Sequence, residues 1–138
     1  MSPDNQINEL TRLFKENTHD ENAVQMAQYM KGHFPFFGIQ SALRRDIQRE
    51  WWRGHSIHSE NELQSLIVTL WGLDKREYQY VGLDLGKRYK KYFTPVSTLF
   101  IQKLITTKSW WDTVDTIASH MAGAMVCNYP ETVIIMDE

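Results

Sequence analysis

One cysteine in 138 residues leaves no disulfide framework for this chain to build. That residue, Cys127, follows Ala124, Met125 and Val126, so it reads as a small buried hydrophobe in a reducing compartment and not as a catalytic thiol. No apolar stretch approaches the roughly 18 residues that a membrane span needs, and the opening MSPDNQINEL lacks the basic-then-apolar order of a signal peptide. The expected location is cytoplasmic, with no membrane partner. Extended alternation of apolar and polar residues is nearly absent, which leaves little from which to build a sheet. His55 and His58 form a bare HxxH with no third ligand nearby, so no metal is expected. Gly82 and Gly86 lie inside a helical pattern with no strand ahead of them, which favours close helix packing over a phosphate cradle. No serine, histidine and acid can be assembled into a triad from spacing alone.

What the chain has in quantity is helical periodicity. Leu63, Leu66, Ile67, Leu70 and Trp71 follow i, i+3, i+4, i+7, i+8, with Ser59 and Glu62 in a capping-box pattern ahead of them. Ala23, Met26, Ala27 and Met30 repeat the spacing after Asp20, the expected N-cap; Tyr78, Val81, Leu85, Tyr89 and Tyr92 do so further on. Leu10, Leu13 and Phe14 mark a first helix. Leu43, Ile47 and Trp51 mark another after the loop HFPFFGIQ, and Thr94 with Pro95 opens one carrying Leu99, Phe100 and Leu104. The expectation is a single all-α domain over residues 1–138, about seven helices joined by short turns as antiparallel pairs, stacked as a solenoid or closed as a compact bundle. The ending PETVIIMDE begins an apolar segment and stops without a C-cap signal, which suggests a chain truncated at its C-terminus.

The formal net charge is −2, yet residues 75–108 hold eight basic residues against two acidic ones. A patch of that kind can meet phosphate whatever the sign of the total. Directly after it comes KSWWDTVD, residues 108 to 115. Ser109 is a good N-cap, so Trp110, Trp111 and Asp112 take the first helical positions and Asp112 stands where a capping box places its acid. Trp110 continues through Val114, Ile117 and Met121 as an apolar stripe and is expected in the core. Trp111 and Asp115 share a neighbouring face whose next turns carry only Ala118 and Ala122, a face able to wall a cleft. An indole face and a carboxylate both stabilise a cation, and the basic segment could hold a polyanion; together they suit a cationic base in nucleic acid.

At these residues the sequence resembles the DNA alkylation repair glycosylases of the AlkD type. The matching pieces are MAQYMKGHFPFFGIQ, the pair Arg44 and Arg45, LWGLDKREYQYVGLDLGKRYKKY and, most diagnostic, TKSWWDTVD. The resemblance implies an all-α superhelix of HEAT-like repeats whose concave basic surface holds duplex DNA. It also implies excision of cationic alkylpurines, N3-methyladenine and N7-methylguanine, without a metal or other cofactor. Carried across, Trp111 contacts the sugar of the damaged nucleotide and Asp115 is the catalytic carboxylate that stabilises the oxocarbenium-like sugar and positions water. Tyr29 corresponds to a tyrosine on the DNA-binding face, and Arg44, Arg45 and Lys108 are candidate DNA contacts because they flank the motif segments. Ala42 replaces a proline frequent in the family, which bears only on helix initiation. The family's later repeats, with a further arginine and tryptophan at the site, have no counterpart here. The competing expectation is a noncatalytic helical-repeat scaffold that binds protein or nucleic acid.

Overall fold

The computed structural model describes residues 3–94, 98–108 and 112–113. They form six α-helices: α1 (Pro3–Glu16), α2 (Asp20–Tyr29), α3 (Ser41–Trp52), α4 (Glu60–Trp71), α5 (Arg76–Arg88) and α6 (Thr98–Thr106). A single 3-10 turn, Lys90–Tyr92, follows α5, and no strand occurs among the described residues. The protein is all-α, with stacked helix pairs of the HEAT-like kind. The α4 and α5 hairpin is the most intimate pair, and α1 lies across α3 and α4. Trp110 and the segment from Val133 to Met136 lie outside the described residues.

The core is built mostly from the periodic stripes, but Leu43 and Leu99, read into the stripes of α3 and α6, face solvent, while Trp52 and Ile101 beside those stripes are buried. Leu10 and Phe14 of α1 meet Leu63, Leu66, Ile67 and Leu70 of α4 and Val81 of α5, all essentially without solvent contact. Phe14 packs its ring against Phe37 and Tyr78, each with centroids about 5.5 Å apart. Every described tryptophan finds an acceptor for its indole N–H. Trp51 donates to the Gln6 carbonyl at 2.7 Å, Trp52 to the Tyr89 hydroxyl at 2.8 Å, and Trp71 to the Thr107 carbonyl at 2.8 Å. These bonds let large rings enter the core without an orphaned donor. Gly82 faces α4: a Cβ there would sit 3.5 Å from the Trp71 ring and 3.6 Å from Ile67, in ordinary contact.

Two helix starts differ from the expectation. Helix α2 is capped by His19, whose Nδ1 accepts from the Asn22 N–H at 3.1 Å, while Asp20 is the first helical residue. The imidazole occupies the place that Asp20 was expected to take, and the Asp20 carboxylate remains in the acidic first turn that the helix dipole favours. Ser59 caps α4 as expected by accepting from the Glu62 N–H, but Glu62 reaches back to the His58 N–H at 3.0 Å, one residue before the cap. The stripe read through Tyr89 and Tyr92 as one helix breaks at Tyr89, where the chain tightens into the 3-10 turn.

The loop between α2 and α3 is tied to α5 by a buried carboxylate. Glu77, with no exposed surface, accepts backbone N–H bonds from Phe37 at 3.0 Å, Gly38 at 3.0 Å and Ile39 at 3.1 Å. The Arg76 N–H donates to the Pro35 carbonyl at 2.9 Å, and the His19 N–H to that of Phe37 at 3.0 Å. Gly38 is obligatory here: its φ is +93°, and a Cβ would fall 2.0 Å from the His19 carbonyl oxygen. Gln79, also buried, turns its amide nitrogen to the Leu70 and Leu73 carbonyls at 3.2 and 3.0 Å and so closes the end of α4.

Candidate active site

Helix α2 has no buried residue of its own, and its C-terminal turn stands over an open cleft of about 370 Å³. Met26, Tyr29 and Met30 line one side, Phe36 and Arg44 another, and Tyr80 and Asp112 complete it. The sequence pattern fits the placement, because Tyr29 stands off the α2 stripe of Ala23, Met26, Ala27 and Met30, which are half-buried or buried. Tyr29, at the end of α2, is left 70% exposed beside the cleft. Asp112 brings the motif KSWWDTVD to this place, as one of its two described helical residues.

Asp112 is held by a network that its expected capping role does not describe. The guanidinium of Arg76, fully buried, grips both carboxylate oxygens along one edge, Nη2 at 2.6 Å and Nε at 3.2 Å. It also donates to the Lys108 carbonyl at 2.8 Å and to the Thr113 hydroxyl at 3.1 Å. The ring of Phe34 lies 3.7 Å from the guanidinium carbon, a stacked arrangement open to arginine and not to lysine. Tyr80 donates its hydroxyl to Asp112 at 2.6 Å. Burial, and next that hydrogen bond to a carboxylate, raise the Tyr80 phenol well above its ordinary value of 10.0, so it stays a donor at any physiological pH. One arginine on α5 therefore fixes the chain at three points from residue 108 to residue 113.

The other expected contacts separate into outward and inward groups. Arg45 is exposed on α3. Arg44 is buried, paired with Asp84 at 2.8 Å, donating also to Gln48, with Tyr80 5.3 Å away across its ring face. Its charge is committed inside the protein. The ammonium of Lys108 donates to the Leu73 carbonyl, and burial lowers its pKa. Lys108 itself adopts a φ of +55° where α6 gives way to the motif. Trp111 and Asp115 lie outside the described residues. Of the eight basic residues between 75 and 108, Arg76 is internal, while Arg88, Lys90, Lys91 and Lys103 are exposed. His55 and His58 bond separately to Gln6 and Ser56, and no group of three metal-binding side chains occurs among the described residues.

Sequence reasoning missed Arg76 and Tyr80, both inside the matched segment LWGLDKREYQYVG. No local signal could have found them, because the acid they hold, Asp112, reads locally as a capping group and its partners stand 36 and 32 residues away.

These stacked helix pairs make an all-α fold of the HEAT-like repeat kind. The family model described as DNA alkylation repair enzyme matches residues 10–138, and the chain belongs to that family. A solved structure, described as a predicted DNA alkylation repair enzyme from Enterococcus faecalis, is similar with a TM-score of 0.75 and 25% sequence identity. The similarity covers 86% of this chain and 55% of that one, so the chain spans about half the length of that relative. A search of curated proteins returned no match.

Proposed function

We propose that the protein is a metal-independent DNA glycosylase that removes cationic alkylpurines, N3-methyladenine and N7-methylguanine among them, from duplex DNA in the cytoplasm. The observation that carries the reading is the joining of a family match through KSWWDTVD with an open cleft that Asp112 of that motif lines. In this reaction the glycosidic bond breaks with its electron pair passing to the departing purine, which leaves neutral. The sugar takes the positive charge, and water adds to its C1′ with loss of a proton. Asp115 is the carboxylate for that charge and that water, and Trp111 packs against the sugar. Tyr29, exposed beside the cleft, offers an aromatic face to the nucleic acid. Asp112 is given an anchoring role in this reading, because its carboxylate is held by the buried guanidinium of Arg76 and by the Tyr80 hydroxyl.

The test is release of free bases. Methylated duplex DNA is incubated with the full-length protein in the presence of a chelator, and the released purines are separated by chromatography. N7-methylguanine and N3-methyladenine are expected in the soluble fraction, at rates the chelator does not change. Tight binding of the duplex with no base released would favour the noncatalytic scaffold.

A further inference from the structure

Arg76 and Tyr80 stand one turn apart on α5 and converge on a single carboxylate, that of Asp112. Every nitrogen of the guanidinium is committed to the segment that carries the motif. Nε and Nη2 donate to the two oxygens of Asp112, Nη2 also to the Thr113 hydroxyl, and Nη1 to the Lys108 carbonyl. Two parallel bonds set the carboxylate in the plane of the fork, and the Tyr80 hydroxyl, at 2.6 Å, limits its swing from the next turn of α5.

Arg76 is itself held in place. Its backbone N–H donates to the Pro35 carbonyl at 2.9 Å, and its guanidinium carbon lies 3.7 Å from the centre of the Phe34 ring. Both belong to the α2–α3 loop that gives Phe36 to the cleft. One side chain therefore joins that loop, α5 and the motif. Stability alone is a weak reason for such a device, because apolar residues of similar volume often hold a fold as well as a buried ion pair does. What the fork adds is direction. The segment it holds begins at Lys108, whose φ of +55° is a backbone setting that favours glycine, and leads through Trp111 to Asp115, three positions beyond Asp112.

We propose that Arg76 and Tyr80 are positioning residues which, through Asp112, set Trp111 and Asp115 against the sugar and so govern the rate of base release and not the affinity for duplex. The assignment rests on the function proposed above. It gives both side chains their effect through the backbone from residue 108 to residue 113 and no contact with the reacting atoms. Such leverage is large, since a displacement of about 1 Å at a reacting group can cost about a hundredfold in rate.

The experiment compares single-turnover release of N7-methylguanine, at saturating full-length protein, with affinity for the same duplex. Tyr80→Phe and Arg76→Lys are the test variants, each checked for folding by circular dichroism. Tyr78→Phe is the control: it removes a phenol hydroxyl from the same helix, one that shares a hydrogen bond with Thr11 of α1 at 2.7 Å. Tyr80→Phe is expected to slow release about tenfold and Arg76→Lys about a hundredfold, with duplex affinity within about twofold of wild type. Lysine keeps the charge but loses the fork and the stacking on Phe34, so a need for charge alone would be met by it. Amide hydrogen exchange across residues 108–115 is expected to quicken in Tyr80→Phe and to stay at the wild-type rate in Tyr78→Phe. Tyr80→Phe decides by itself if Arg76→Lys does not fold. An unchanged rate or unaltered exchange in Tyr80→Phe, an equal loss in Tyr78→Phe, or a loss matched by weakened duplex binding would overturn the positioning role and leave the glycosylase reading intact. Wild-type protein that releases no base would remove that reading, and this role with it.

Discussion

Asp112 and Asp115 stand three positions apart in one short motif, and the partners of the first show what holds it. Asp112 receives two bonds from a fully buried arginine and one from Tyr80. Removing one partner of such a pair strands the other, so Asp112→Asn should cost about 3 kcal/mol or more of stability, read from urea unfolding. A loss below about 1 kcal/mol would mean that the network is dispensable. Tyr80 supplies a pH test. Its folded pKa lies above the value near 10 that an unfolded chain offers, so its contribution is complete below about pH 10 and is lost as pH rises beyond it. Tyr78 is shifted the same way, chiefly by burial. Stability should therefore fall with increasing pH above about 10, and less steeply in Tyr80→Phe. Residue-scale roles of this kind were only partly legible in the sequence. An acid at the third helical position reads locally as a capping group, whereas its cation is supplied from 36 residues away and only the fold brings them together.

Among the elements, those set by local pattern were readable and those set by distant contacts were not. The stripes of α1 and α4 were legible because burial follows the 3.6-residue period, and the Ser59 cap because its partner is three residues on; in α3 Ile47 and Trp51 are buried as read, but Leu43 is exposed and Arg44 is buried beside it. Arg76 and Glu77 looked like ordinary surface charges at a helix start, yet both are completely buried. Glu77 holds the α2–α3 loop through three backbone N–H groups, and Gln in its place presents an amide donor to donors. Glu77→Gln should destabilise by at least about 3 kcal/mol, measured by denaturant titration; a smaller loss would show that the loop is held from elsewhere. The two glycines separate two meanings of a residue without a side chain. Gly38→Ala drives a methyl into the His19 carbonyl and should prevent stable folding. Gly82→Ala finds ordinary contact distance inside a helix and should be neutral or stabilising by up to about 1 kcal/mol. Thermal melts of the two variants compare them directly, and equal losses would contradict the distinction.

For the molecule as a whole, the helix pairs supply a frame and the crevices between them supply the surfaces. The all-α stacking and the family were legible, since periodicity reports the first and the segment KSWWDTVD the second. Which cations face outward was not, because a stretch rich in lysine and arginine gives no sign that Arg76 turns in while Arg88 stays out. The central claim is that the motif divides its labour, with Asp112 anchoring the chain and Asp115 doing the chemistry. Single-turnover excision of N7-methylguanine by full-length wild-type protein and Asp115→Asn, both confirmed folded, tests it most directly. The account predicts a rate lower by at least about tenfold, roughly 1.4 kcal/mol of barrier, with duplex affinity nearly unchanged. An undiminished rate in Asp115→Asn would contradict it.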